Sequence, residues 1–135
     1  MITLGELLKG QCDIEELDET TKSNLYELLN RINKVRARYG FPMIVTSGYR
    51  TMQHHIDIYK KKGITDLSKI PLKSNHLYGR AVDISDRNGQ LQRWCLANVK
   101  ILESIGLWME HFSATKTWVH FQIVPPKSGN RFFMP

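Results

Sequence analysis

The sequence has few cysteines, and no stretch of it is apolar over the length of a membrane-spanning helix. Its two cysteines, Cys12 and Cys95, lie far apart, which argues against a disulfide framework and against a zinc knuckle. Because Cys95 falls within an apolar helical pattern, we expect a buried thiol there and two free cysteines in all. The first residues, MITLGELLKG, lack the basic and apolar regions of a signal peptide. We therefore expect no membrane span and no export signal.

Internal repeats and low-complexity segments are also absent. Hydrophobic residues make up 41% of the 135 residues and charged residues 24%. These ordinary values argue against disorder and against a collagen-like or coiled-coil structure. A chain of this length buries enough surface to form its own core. We therefore predict one domain over residues 1–135.

Positive charge is in excess, with a formal net charge of +6. This balance favours an anionic partner, which can be nucleic acid, a membrane surface or an acidic cell-wall polymer. The basic segments KVRAR and YKKKG lie in separate predicted elements. They do not form the one-sided basic face that is typical of nucleic-acid binding, so we expect two solvated faces and no nucleic-acid partner.

Apolar residues at helical spacing predict three helices. The first covers Asp18–Tyr39, after a start rich in capping side chains and before Gly40, which is a natural stop. The second begins after Thr51, a capping residue, and continues to about residue 62. The third covers residues 91–105 and stops at a glycine.

Four short runs are typical of β-strands. They are FPMIVTS at 41–47, GRAVDIS at 79–85, LWMEHF at 107–112 and TWVHFQIV at 117–124. A short polar link joins the last two runs, which suits a hairpin, and residues 125–135 have the composition of an irregular tail. We predict an α+β fold in which helices pack on one side of a small antiparallel sheet.

Two histidines and one aspartate predict a metal site. His76 precedes Asp83 by seven positions, and the intervening Gly79 and alternating run favour a loop ligand followed by a strand ligand. His120 lies in the last predicted strand. Two histidines and a carboxylate, with water in the fourth position, form a catalytic zinc arrangement. Taken singly, each residue is more simply a satisfied sheet histidine or an outward-facing strand carboxylate; the combination favours the metal.

Three motifs resemble a known family of peptidases. The pattern Ser-x-His-x-x-Gly-x-Ala-x-Asp at 74–83 is similar to the first zinc motif of the D-alanyl-D-alanine metallo-carboxypeptidases and phage L-alanyl-D-glutamate endopeptidases, which share a fold with the hedgehog signalling domain. The segment SGYRT, which contains Arg50, and the segment WVHFQ, which contains His120, resemble two further motifs of that family. The motifs occur in the family's order and span residues 47–122.

The resemblance implies a hedgehog-type fold and a zinc ion held by His76, Asp83 and His120. It also implies that Arg50 stabilises the oxyanion formed on the scissile carbonyl. The implied activity is hydrolysis of peptidoglycan peptides, at the L-alanyl-D-glutamate linkage or at a bond next to a D-amino acid. The rival hypothesis is a zinc-containing binding domain of the same fold that has lost turnover.

The general base is where this sequence departs from the family. Many relatives have an acid three residues before the last histidine, and this chain has Thr117 there. Glu110 is our candidate, because a five-residue loop over 113–117 pairs Glu110 with His120 on one face of the hairpin. A loop longer or shorter by one residue would instead bring His111 to that face.

Other polar residues receive smaller roles. Ser74 and Tyr78 are candidates for the substrate cleft. His54 and His55 point about 100° apart on a helix and do not readily chelate one ion together, so we expect surface or satisfied histidines. We expect a monomer whose partners are peptidoglycan stem peptides. We also expect a phage or prophage lysin that stays in the bacterial cytoplasm until lysis and then acts on the wall.

Overall fold

A computed structural model describes residues 1–135 and contains five α-helices and five β-strands. The helices are α1 (Leu4–Leu8), α2 (Glu19–Tyr39), α3 (Met52–Lys61), α4 (Gln90–Ala97) and α5 (Val99–Ile105). The strands are β1 (Val45–Ser47), β2 (Ala81–Ser85), β3 (Trp108–Glu110), β4 (Trp118–Gln122) and β5 (Phe132–Phe133). Three 3₁₀ turns cover Ile14–Glu16, Leu67–Lys69 and Asn75–Tyr78. None of the helices combines the length and the apolar character needed to cross a bilayer.

The two longest helices begin and end where their capping residues predict. The Asp18 side chain accepts a hydrogen bond from the Thr21 amide at the start of α2, and Gly40 ends that helix in the left-handed conformation at φ 82°. Thr51 accepts from the His54 amide at the start of α3. Both predictions are confirmed.

Three segments differ from prediction. The third predicted helix is two helices, because the chain breaks helical geometry at Asn98, whose amide side chain donates to Trp94 O at 2.8 Å. The tail is not wholly irregular, since Phe132–Phe133 forms β5. Helix α1 was not predicted, although the pair Thr3 and Glu6 forms a complete capping box at its start.

The five strands form one sheet in the order β1-β2-β4-β3-β5. All neighbours are antiparallel except β3 and β5, which run parallel. The predicted α+β fold is confirmed, with this one parallel pair as an addition. Strand β5 is held by two backbone bonds: the amide of Met109 donates to Arg131 O at 2.9 Å, and the amide of His111 donates to Phe133 O at 2.6 Å.

The hydrophobic core covers one face of the sheet. Its sheet residues are Val45, Val82, Ile84, Met109, Val119 and Phe121, and its buried helical residues come from α1, α2, α4 and α5. Because side chains alternate along a strand, Asp83 and His120 point to the opposite face. Helix α3 supplies no buried residue to this core. The sheet therefore has a packed face and an open one, and the polar residues of β2 and β4 lie on the open face.

Both cysteines are free, and Cys95 is fully buried in the core. Burial raises the pKa of the Cys95 thiol well above its ordinary value, so this thiol stays protonated and unreactive. The prediction for the two cysteines is confirmed.

Candidate metal centre and active site

His76, Asp83 and His120 meet on the open face of the sheet. Asp83 on β2 and His120 on β4 are directly paired across the strands, and His76 reaches them from the 3₁₀ turn before β2. Nδ1 of His120 lies 2.9 Å from Asp83 Oδ1, and Nε2 of His76 lies 3.4 Å from Asp83 Oδ2. One ligand atom from each residue lies within 4.8 Å of the others. The structure thus brings together all three residues proposed as metal ligands.

The turn that carries His76 explains two motif positions. Ser74 caps the turn by accepting from the His76 amide at 3.4 Å. Gly79 ends it with φ 71°, and a Cβ there would lie 2.7 Å from Leu25 Cγ on α2. A side chain at this position would therefore be both strained and in collision with the core helix.

A second glycine fixes the ring of His76. Nδ1 of His76 lies 2.8 Å from the carbonyl oxygen of Gly48. Since a carbonyl oxygen only accepts, Nδ1 donates, which leaves Nε2, on the side of Asp83, as the nitrogen that can bind an ion. A Cβ on Gly48 would lie 2.2 Å from the carbonyl oxygen of Leu7 in α1, so only glycine permits this close approach. The Tyr49 amide donates to the same Leu7 oxygen at 2.8 Å.

Arg50 borders the metal residues. Its Nη2 lies 4.0 Å from Asp83 Oδ2, and its Nε donates to Ser47 Oγ at 3.1 Å. Burial lowers the pKa of Arg50, and the neighbouring carboxylate of Asp83 opposes that shift. The Arg50 side chain keeps only 14% of its surface exposed. The structure therefore places a desolvated guanidinium beside the three candidate ligands.

His55 is a satisfied buried histidine, one of the two alternatives that the sequence left open for it. Its Nε2 donates to Pro71 O at 2.8 Å, and its Nδ1 lies 3.4 Å from Nη1 of Arg50. Burial lowers the pKa of His55, although the hydrogen bond to Pro71 partly opposes this. His55 thus links α3, Arg50 and the loop that leads to the turn of His76, whereas His54 is exposed.

The buried groups set the charges of the centre. Burial alone would raise the pKa of Asp83, but hydrogen bonds from His120 and His76 outweigh it and hold that pKa far below its ordinary value. Burial alone would lower the pKa of His120, but the hydrogen bond with Asp83 outweighs it and raises the pKa. Asp83 is therefore a carboxylate at neutral pH.

Glu110 lies next to the metal residues. Strands β3 and β4 pair Trp108 with Gln122 and Met109 with Phe121, and this register places Glu110 opposite His120. The register is the one that the predicted hairpin requires. Glu110 Oε1 lies 3.9 Å from Nδ1 of His120, and 21% of its side chain is exposed. His111 instead bonds to Ser113 at 2.8 Å, away from the metal face. The catalytic role of Glu110 remains a prediction.

A cleft of about 980 Å³ opens over these side chains. The predicted site residues Arg50, Ser74, His76, Asp83, Glu110 and His120 all line it. Tyr78 does not, and its substrate role stays a prediction. Its side chain is 40% exposed, its ring stacks under Arg80 at 4.7 Å, and its hydroxyl donates to Leu72 O at 3.4 Å.

Several lining residues were missed in the sequence. Gln122 follows His120 by two positions, so the strand alternation that placed His120 on the open face also placed Gln122 there. Residues 124–128 and 133–135 form one wall of the cleft. The ring of Phe133 stands perpendicular to His120, with centroids 6.3 Å apart. The tail gave no sign of this position, because parallel pairing of a two-residue strand has no pattern of its own.

The donor set fits a divalent metal ion. Two imidazole nitrogens and one carboxylate oxygen match the three protein ligands of catalytic zinc sites, although other divalent metals accept the same set. The far nitrogen of each histidine is also hydrogen-bonded, to Gly48 O at 2.8 Å for His76 and to Gln122 Oε1 at 2.8 Å for His120. Such outer bonds orient metal-binding histidines.

These features define a candidate metal centre on the sheet of an α+β protein, and comparison with known proteins gives the family of the protein. Residues 2–122 match the family model described as Peptidase M15, so the protein belongs to the Peptidase M15 family. The family prediction is confirmed. The crystal structure of the Serratia marcescens L-Ala D-Glu endopeptidase ChiX has a similar fold, with a TM-score of 0.51 and 22% identity over 87% of this chain and 98% of that one. No curated protein matches the sequence.

Proposed function

We propose that the protein is a zinc-dependent peptidase that hydrolyses peptide bonds of bacterial peptidoglycan. The observation that carries the proposal is the meeting of three metal-ligand atoms within 4.8 Å in a cleft that also holds a carboxylate and a guanidinium. Membership of the Peptidase M15 family supports peptide hydrolysis. The fold shared with an L-Ala D-Glu endopeptidase supports the substrate class.

His76 through Nε2, Asp83 through its carboxylate and His120 through Nδ1 would hold the ion. When bound, a zinc ion supplies a water molecule of lowered pKa and a Lewis acid at its open position. Both histidines present a lone pair to the ion only if their far nitrogens keep a proton. The carbonyl oxygen of Gly48 keeps that proton on His76.

Glu110 is the proposed general base. Its carboxylate accepts a proton as the oxygen of water forms a bond to the amide carbonyl carbon. The guanidinium of Arg50 stabilises the negative charge on the carbonyl oxygen of the tetrahedral species. As the carbon–nitrogen bond breaks, Glu110 returns the proton to the leaving amine. The hydroxyl group of the water molecule thus enters the new carboxyl group, and its other hydrogen enters the new amine.

The charges of the cleft favour an anionic peptide. The two acidic side chains that line the cleft, Asp83 and Glu110, both belong to the proposed metal and catalytic centre. Three lysines, Lys62, Lys73 and Lys127, also line the cleft. Stem peptides of peptidoglycan carry free carboxylates, so this surplus of positive charge suits them. The same surplus supports an approach to an anionic cell wall.

Two finer proposals rest on the resemblance to the phage enzymes. The cleaved bond is the L-alanyl-D-glutamate linkage or a bond next to a D-amino acid. The protein is a lysin that remains in the bacterial cytoplasm until lysis and then reaches the wall. The first rests on the motifs at 47–51, 74–83 and 118–122, which resemble those of the phage enzymes, and the second rests on the same resemblance and on the positive net charge.

The decisive experiment is mass spectrometry of fragments released from purified peptidoglycan by the zinc-loaded protein, with a chelated sample alongside. New peptide termini that disappear on chelation would establish the activity and identify the bond. Replacing Lys62, Lys73 and Lys127 with Gln should raise KM for stem peptides with free carboxylates more than for amidated ones. Replacing the exposed Lys100, outside the cleft, should change neither value.

The rival is a zinc-binding domain of the same fold without turnover. Thr117 favours it, because this residue occupies the position of the family's usual acid and its side chain is exposed. Glu110 favours catalysis, since it brings a carboxylate to the centre from a different strand. Intact peptidoglycan from several wall types, with zinc shown to be bound, would decide for the rival.

A further inference from the structure

Gln122 connects the metal centre to the backbone of the following segment. It lies on β4 two residues after His120, and only 4% of its surface is exposed. Its Oε1 lies 2.8 Å from Nε2 of His120, and its Nε2 lies 2.8 Å from the carbonyl oxygen of Val124. Asp83 Oδ1, 2.9 Å from Nδ1 of His120, is at the other end of the same chain of bonds.

The hydrogen bond to Val124 determines which group is the donor and which is the acceptor in each of these bonds. A backbone carbonyl oxygen has no proton to give, so the group that faces Val124 must be the NH₂ of Gln122. The amide oxygen of Gln122 therefore faces His120 and can only accept. Nε2 of His120 must then carry a proton, and the proton on that nitrogen leaves Nδ1 as the atom that presents a lone pair to an ion.

We propose that Gln122 is the positioning residue for the metal ligand His120. It holds the imidazole ring in one of its two orientations and keeps the proton on Nε2, so that Nδ1 faces Asp83 and His76. Gly48 plays the matching part for His76, whose other nitrogen faces the ion. The inference rests on the metal site of the proposed function and is independent of whether the protein hydrolyses peptides.

The neutral amide also suits the charges of the centre. Metal-binding histidines are often held by a carboxylate. Here Asp83 and Glu110 already supply two negative charges beside the site, and Arg50 supplies one positive charge. An amide at position 122 gives the hydrogen-bond acceptor without a third negative charge. Gln122 can therefore orient His120 without changing the charge of the centre.

Two substitutions distinguish the role of Gln122 as a hydrogen-bond acceptor from its contribution to packing. Gln122→Leu keeps much of the volume and removes the acceptor, whereas Gln122→Glu keeps an acceptor toward His120, loses the donor toward Val124 and adds a negative charge. We expect Gln122→Leu to bind Zn²⁺ about 10- to 100-fold more weakly in a chelator competition. We expect Gln122→Glu to bind within about threefold of the parent. The control is Gln92→Leu, which removes an amide that donates to Thr115 O at 2.9 Å, outside the cleft, and should leave affinity unchanged.

Nitrogen NMR of the unaltered protein gives a second measurement, independent of any variant's folding. With ¹⁵N-labelled histidine and bound Zn²⁺, His120 should show coordination through Nδ1 and a slowly exchanging proton on Nε2. Coordination through Nε2 would overturn the inference. So would equal loss of affinity in Gln122→Leu and Gln122→Glu, or unchanged affinity in Gln122→Leu. The protein could fail to hydrolyse any peptide while the variants show the expected order of Zn²⁺ affinities. That result would refute the proposed peptidase activity and still support the role of Gln122.

Discussion

Replacing Glu110 with Gln tests the proposed base with the least disturbance to the rest of the site. The amide has nearly the same size, and the strand keeps its backbone pairing with Phe133. Glu110 Oε1 lies 3.9 Å from Nδ1 of His120, which is beyond hydrogen-bond distance, so the change removes a basic group without removing a ligand. General bases contribute about 10²- to 10⁴-fold to a rate. We therefore expect turnover to fall by that factor, a loss of about 3 to 5 kcal/mol in transition-state stabilisation.

The assay is the initial rate of stem-peptide cleavage at saturating substrate, with bound zinc measured in the same samples. Glu103→Gln is the matched control, because Glu103 is exposed on α5 and does not line the cleft. It should cleave at the parent rate. Undiminished turnover in Glu110→Gln, with the same zinc content as the parent, would refute the assignment of Glu110 as the base.

Three further predictions concern the oxyanion, the electrostatics and the fold. Arg50→Gln should lower turnover about 10²- to 10³-fold while zinc remains bound, and equal loss of both would contradict its proposed role. In chelated protein the pKa of His120 is raised above 6.5, so its stabilisation is complete below pH 6.5 and is lost as pH rises through the raised value. The lowered pKa of Asp83 gives stabilisation that is complete above pH 3.8 and is lost at lower pH. Thermal unfolding should therefore show greatest stability between about pH 4 and 6.5, and Asp83→Asn should flatten this profile. Gly79→Ala should cost about 1 to 3 kcal/mol of unfolding free energy in denaturant titrations, and Gly63→Ala, whose Cβ meets no atom within 4 Å, should cost less.

The sequence predicted best those features that depend on local patterns. Helix α2 could be placed because its capping aspartate, its apolar spacing and its final glycine all agree. The metal residues could be placed because the alternation of β2 and β4 sends Asp83 and His120 to the same face. The position of Glu110 opposite His120 depended on the hairpin register, and the structure has the predicted register although seven residues, 111–117, separate β3 from β4.

Features that depend on distant contacts were not predictable in this way. Nothing near Phe133 in the sequence indicates its edge-to-face contact with His120, because that contact follows from parallel pairing with β3. Tyr78 lies within the motif that carries His76, yet its side chain is outside the cleft. It precedes the left-handed Gly79, and its ring contacts the guanidinium of Arg80. Asn98 is a local exception, because its side chain donates to Trp94 O in the preceding turn and splits an apolar pattern that continues on both sides.

The wall formed by residues 124–128 and 133–135 borders the cleft but supplies none of the proposed metal ligands or catalytic residues. The metal ligands, Arg50 and Glu110 all lie within residues 2–122, the part that the Peptidase M15 family shares. The wall lies after that part and touches the centre through Phe133 and through the carbonyl oxygen of Val124, which holds Gln122. Residues 125–128 make neither of these contacts, so they can change while the ligand geometry stays fixed. Exchanging residues 125–128 between family members is a direct way to redesign which peptides enter the cleft without rebuilding the chemistry beneath it.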